Sequence, residues 1–370
     1  MLWVNSFWSL SEVPHWLRHA AVGEDMLGFS DIIFPAFLFI VGASVPFAIE
    51  NRLRKGDSLV KLLYHILIRS AALVILGIFT SNFGSYGAEA TGIDRNHFAL
   101  LMALGVFMTW NAYPKSTGWK KHLFIALGML GVVLLVYLAI IYRSKDGAHF
   151  ELWGRWRILG LIGWTYLFCS LFYLIIRQRL WWHAGILALV VAGSILQTCG
   201  ILPKILPIPF TILAFGVTGL VLSLLIVRYV FNRPSPRTFY ILMAVIGVAM
   251  LGVGMLSHHF WIINKISATT TWFFYCCAIF FPLFGLLYWL ADANGKADWF
   301  KWVLPAGTGA LTCFMMEYIW DPIKNMIFNN PLLLPKFSVG TLGLLNSALY
   351  ALLVILVVWL LSKIHIRLKL

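Results

Sequence analysis

His19 closes the run His15-Trp16-Leu17-Arg18-His19, and an imidazole beside a membrane surface can serve as a general base because it titrates near working pH. His15, four residues earlier, is the competing base. Asp31 in GFSDIIFP opens a long apolar run. A carboxylate there favours a helix N-terminus and caps its N–H groups, or it orients a nearby histidine. Asn5 ends a short apolar segment, and its amide could polarise a carbonyl or tie two helices together.

Two further places hold polar groups that lipid does not accept cheaply. Arg69 lies ten residues into LVKLLYHILIRSAALVILGIF. A guanidinium at that depth costs at least ~2.5 kcal/mol on insertion scales, so it must snorkel, pair, or line a cavity for an anionic ligand. The stretch INKISATTTW, with His258 and His259 just before it, carries Asn264, Lys265 and several hydroxyls. Together with Glu317 in TCFMMEYIW, it could line a polar vestibule that binds substrate, or simply cap the helix that follows.

These residues must be positioned by a membrane scaffold. The chain has 370 residues, 61% of them hydrophobic and only 11% charged, with a mean hydropathy of +0.86. Soluble domains run at roughly 45–50% apolar and about 25% charged. The composition excludes a soluble enzyme, a disordered chain, a coiled coil and a disulfide-stapled secreted domain. It predicts an all-α, polytopic transmembrane helix bundle forming a single domain over residues 1–370. Apolar runs near 30–50, 60–83, 97–113, 123–142, 158–176, 184–200, 207–231, 239–257, 271–291, 304–320 and 342–362 give about eleven spans. Residues 1–10 read as the outer end of one more helix, truncated so that the chain begins inside its first span. Pro35, Pro46 and Pro282 are expected to interrupt spans. The five cysteines lie in apolar stretches without metal spacing and read as packing residues, and no metal is expected.

The net charge of +14 fits a cytoplasmic bias of Lys and Arg better than nucleic-acid binding. With the loop after 30–50 in the cytoplasm, 17 basic residues fall on that side, Arg52, Lys55, Lys121 and Arg233 among them. Ten fall on the other, including Arg18, Arg95, Arg155, Arg157 and Lys336, and Arg69 stays inside a span. This predicts an outward 11–29 loop and a cytoplasmic C-terminus. The tryptophans gather near span ends, as an interfacial aromatic belt does.

The run VNSFW…WLRHA…GFSDIIFPAFLFIVGASVPFAI resembles the heparan-α-glucosaminide N-acetyltransferase family and its bacterial relatives. The features carrying the resemblance are Val4-Asn5, His19-Ala20, the Asp-x-x-Phe-Pro of Asp31 to Pro35, and Phe37 to Gly42. Arg69-Ser70 with the apolar run to Ser81-Asn82 is similar to the family's next span, and NKISATTTW and PAGTGALTCF look like its closing helices. The likeness is dense over 4–83, patchy over 97–113, and in order over 260–320. Where the family commonly has a Gln-Arg pair, this chain has Met102-Ala103.

The resemblance implies transmembrane acyl transfer: acetyl-CoA as cytoplasmic co-substrate, and an amine or hydroxyl of a sugar or glycan as acceptor on the outer side. It implies residence in a bacterial inner membrane, among lipids and without nucleic acid, with a homodimer left open. His19 is then the catalytic residue, either as base or as an acyl-carrying nucleophile. Asp31 orients its ring and Asn5 serves the oxyanion. Arg69 is expected to bind the donor, while Asn264, Lys265 and Glu317 bind the acceptor. The alternative is a transporter of an amino sugar or related metabolite without chemistry, although no matched pair of broken helices marks one.

Overall fold

A computed structural model describes residues 1–154, 156–232, 235–327 and 339–370. Arg155, Arg233 and Lys336, counted in the charge bias above, lie outside the described residues. Within these, the chain is helical throughout, with only isolated β-bridges and no strand. In chain order the helices are α1 (Leu2–Asn5), α2 (Phe29–Arg54), α3 (Leu59–Gly84), α4 (Ala88–Thr91), α5 (Arg95–Trp110), α6 (Trp119–Ile141) and α7 (Arg157–Ile176). They continue as α8 (Leu180–Thr198), α9 (Phe210–Ile226), α10 (Pro236–His258), α11 (Thr270–Tyr288), α12 (Leu304–Thr308), α13 (Ala310–Ile327) and α14 (Gly340–Lys363). Nine of them are long and apolar enough to cross a membrane, α9 and α11 being extended by π-helical turns to Asn232 and Ala293. The protein is a polytopic helical membrane protein.

The two remaining apolar runs also form helices. α5 has 16 residues, about 24 Å of rise, and α13 carries Glu317, Asp321 and Lys324 along its length. Pro35, Pro46 and Pro282 do not interrupt their spans. Each lies inside a continuous helix, where neighbouring groups in a membrane bundle can satisfy the carbonyls that proline frees.

The chain clusters into two compact units. The first comprises Met1–Pro14, Ile75–Arg157 and Trp299–Leu370; the second comprises His15–Val74 and Ile158–Asp298. In the second unit, α9 is enclosed on all sides, with every residue from Thr211 to Leu220 buried. Lipid is as apolar as leucine, so what draws helices together here is close approach at small residues. α2 and α9 meet in this way. A Cβ at Gly42 would run into the Gly216 carbonyl, and one at Gly219 into that of Phe39. Around this contact Phe215 packs on Trp272 and Phe273 (4.9 and 5.0 Å), and Phe39 on Phe280 (5.3 Å).

The first unit is built around a different cluster. Tyr86 packs on Phe98 at 4.4 Å, and the Tyr142 hydroxyl donates to the Asn82 carbonyl at 2.8 Å. The Asn82 side chain bonds both the N–H and the C=O of Glu151, which pins the loop after α6. The C-terminal tail folds back on the end of α5, with Ala112 N–H donating to Arg367 O (2.8 Å) and Lys369 N–H to Trp110 O (3.0 Å).

Candidate functional site

Two loops of the second unit build the site: residues 15–28 before α2, and residues 259–269 between α10 and α11. They are laced together by backbone and side-chain bonds. Met26 N–H donates to Ile263 O at 3.1 Å, and Ile263 N–H donates to Asp25 Oδ1 at 2.7 Å. Asn264 is fully buried. Its Nδ2 donates to the carbonyls of Ala21 (2.8 Å) and Glu24 (2.9 Å), and its Oδ1 accepts from Ser267 N–H (2.9 Å). Its whole amide is therefore engaged within the chain. That makes it a positioning residue for the two loops, where the sequence suggested a substrate ligand.

These loops bring His19, Asp31 and Lys265 together. With the proton on Nδ1, His19 donates to Asp31 Oδ1 at 3.0 Å. The other carboxylate oxygen accepts from Ala20 N–H at 2.9 Å, and the Asp31 carbonyl accepts from Trp272 Nε1 at 3.2 Å. Lys265 Nζ lies 3.5 Å from Asp31 Oδ1 and 3.1 Å from His19 Nδ1. Asp31 is 1% exposed and His19 9%. A charge buried this deeply is tolerable only when paired and hydrogen-bonded, and Asp31 has both kinds of partner. Burial holds the Lys265 ammonium below the usual lysine range, with Asp31 opposing the shift.

Asp31 also lies in the first turn of α2, as expected, yet it makes no N-cap bond. The cap position is Gly28, without a side-chain hydrogen bond. The carboxylate instead reaches across to the preceding loop. In the tautomer with the proton on Nδ1, the ring's lone pair lies on Nε2.

His15 is placed differently. It is exposed, 3.4 Å from Glu24, which also binds Arg18 at 2.5 Å and the Ala21 N–H at 2.8 Å. The Ala21 bond, acting against desolvation and aided by Arg18, holds the Glu24 carboxyl below its ordinary value. The structure adds a link between the first loop and the end of α10, Asp25 to His258 at 2.8 Å. Burial would raise the Asp25 carboxyl, but the Ile263 N–H and His258 outweigh it and lower it.

The other expected site residues are distributed elsewhere. Arg69 stands on an exposed face of α3 with its guanidinium 4.9 Å from the Tyr166 ring centre, a cation–π contact within the second unit. Asn5 and Glu317 belong to the first unit and meet there, Asn5 Nδ2 donating to Glu317 Oε2 at 3.2 Å. The amide that was expected to serve an oxyanion is therefore bonded to the carboxylate that was expected to bind substrate.

No curated protein matches the chain. A family model described as "Domain of unknown function (DUF5009)" matches residues 6–200, a stretch that holds His19, Asp31 and Arg69 and ends before Lys265 and Glu317. That match spans more than half of the sequence, and the chain belongs to the DUF5009 family.

Proposed function

We propose that this protein is a bacterial inner-membrane acyltransferase that moves an acetyl group from cytoplasmic acetyl-CoA to an amine or hydroxyl of a sugar on the outer side. The observation that carries the reading is the buried His19–Asp31 pair, held at 3.0 Å on the side of the ring that leaves Nε2 as the reactive nitrogen. The residue pattern of 4–83 supports it independently.

In the direct route, the neutral acceptor amine attacks the thioester carbonyl carbon. The C–N bond forms, the C–S bond breaks, and the electron pair leaves on the CoA sulfur. His19 Nε2 takes the amine proton and returns it to the departing thiolate, a role that contributes typically 10²–10⁴-fold. In the covalent route, Nε2 attacks the thioester first, the thiolate leaves, and the acceptor then displaces the imidazole. Asp31 does the same work in both: it fixes the tautomer and stabilises positive charge on the ring. Lys265 helps to neutralise the carboxylate at Oδ1, the same oxygen that faces the imidazole. Arg69 is assigned to the donor's phosphates or pantetheine arm, with the cytoplasmic C-terminus given by the charge bias.

The test is CoA release by purified protein from acetyl-CoA, with and without glucosamine. Acceptor-dependent release abolished in His19→Ala supports the proposal. Uptake of glucosamine into vesicles without CoA release would establish the transporter alternative instead.

A further inference from the structure

The first unit contains a cavity of about 380 Å³ that none of the chemistry above uses. It opens where α3 ends, α5 begins and α13 finishes, and its polar lining comes from Arg95, Asn96, Arg157, Glu317, Asp321 and Asn325. The volume falls within the ~300–1,000 Å³ of small-molecule sites. A polar lining of this density in an otherwise apolar protein asks for a polar occupant.

The charges around the cavity are not equivalent. Asp321 has its own cation, Lys324, at 3.2 Å, and Glu317 accepts from the Asn5 amide. Among the described residues neither Arg95 nor Arg157 forms an ion pair with a carboxylate. Each is nonetheless held in place. Arg95 lies with its guanidinium 4.3 Å from the centre of the Phe83 ring, which leaves its N–H edge for another partner. Arg157 packs its guanidinium against Gly84, where a Cβ would collide with it, and its own backbone is left-handed (φ 37°), a conformation that L side chains rarely adopt. The two cations also feel each other: burial, and then the charge of Arg157, hold the Arg95 guanidinium below its ordinary pKa. Two like charges lining one cavity and acting on each other are stabilised by an anion between them. Carboxylate and phosphate match the planar guanidinium fork.

The remaining polar residues of the lining supply different chemistry. Glu317 can accept from a ligand hydroxyl. Asn325 Nδ2 donates to Asn96 Oδ1 at 3.3 Å, so these two amides form a paired donor and acceptor set at the rim. We infer that this cavity is a binding site for a small hydroxylated anion, a sugar acid or sugar phosphate, with its acidic group on Arg95 and Arg157 and its hydroxyls on Glu317 and the asparagine pair. As a binding site it does not depend on the acetyl-transfer reading; only its occupancy by the acceptor of that reaction does.

The experiment is calorimetric titration of the full-length detergent-solubilised chain, without acetyl-CoA, using D-glucuronate, D-glucose 6-phosphate, D-glucose and inorganic phosphate. At least one acidic sugar is expected to bind, more tightly than glucose and more tightly than phosphate. Glucuronate binding assigns a carboxylate ligand and glucose 6-phosphate binding a phosphate ligand; either supports the inference. Arg95→Gln and Arg157→Gln should each weaken that binding tenfold or more, whereas Lys61→Gln, a cation in the first turn of α3 that does not line the cavity and pairs with Asp57, should not. If an arginine variant fails to fold, Asn325→Trp at the exposed rim should block entry instead. Equal binding of glucose, binding of phosphate alone, binding by none of the probes, or wild-type affinity in the folded variants would overturn it. Loss of acetyl transfer with binding intact would refute the acyltransferase reading alone.

Discussion

His19 and Asp31, twelve residues apart in the sequence, meet through Nδ1 and Oδ1 at 3.0 Å, and the carboxylate is almost completely enclosed. Asp31 begins a helix but reaches back to hold the loop before it, taking the Ala20 N–H on its second oxygen. The pair fixes the imidazole's orientation and, with the proton on Nδ1, presents Nε2 as the basic nitrogen, which a base or nucleophile needs. Removing one partner from a buried pair costs roughly 3–5 kcal/mol, so the arrangement is held structurally as well as chemically.

From that geometry, His19→Ala should lower acetyl transfer by about 10²–10⁴-fold, while His15→Ala, at an exposed side chain paired with Glu24, should leave it within a fewfold of wild type. Both are to be compared by CoA release after checking that the variants fold and bind CoA. Equal losses in the two would end the assignment to His19.

Lys265 predicts an alkaline signature. Its folded-state pKa is lowered by burial, so between that value and the ordinary lysine value of ~10.4 the unfolded chain holds a proton that the folded chain does not. Stability therefore rises with pH through this window, and the penalty is fully present below it. Melting curves of wild type and Lys265→Met, taken in parallel from pH 7 upward, should converge or cross as the pH climbs, since only the wild type gains from this group. A difference independent of pH would contradict the prediction.

Arg69 is assigned to the donor. Arg69→Ala should raise the acetyl-CoA KM more than it lowers kcat, the pattern expected when uniform binding is lost. If its contact with Tyr166 is its whole role, KM will not move and the melting temperature will fall by the equivalent of about 0.5–1 kcal/mol.

The contact of α2 with α9 predicts opposite signs for two identical substitutions. Gly42→Ala puts a methyl into the Gly216 backbone, which can yield only if the helices separate, at a cost above about 1–3 kcal/mol. Gly185→Ala, in α8 with nothing within 4 Å of the new carbon, should stabilise its helix by roughly 0.5–1 kcal/mol. Thermal unfolding in one detergent measures both.

The charge bias predicts sidedness. A cysteine at position 55 should react with a membrane-impermeant maleimide only from the cytoplasmic side, and one at position 22 in the exposed Ala21–Gly23 turn only from outside. Outside-only reaction at position 55 would reverse the direction of transfer.

Composition alone determined that this is a helical membrane protein, because ~20-residue apolar runs leave the backbone no other way to satisfy its own polar groups. The sequence also carried His19 and Asp31 as a pair, since both lie near the start of one helix and local connectivity keeps them close. Lys265 and Asn264 were legible as polar residues out of place, but not in their roles. Their partners are more than 230 residues away, and only the folding of α10 and α11 against the early loop makes Lys265 a counter-ion and Asn264 a loop tie. Asn5 and Glu317 likewise looked like two separate candidates until the fold bonded them to each other. Arg95 and Arg157 read in the sequence as ordinary loop cations. Helix ends distant in the chain put them on one cavity, and no periodicity or spacing encodes that, because a cavity is a property of packing rather than of any one segment.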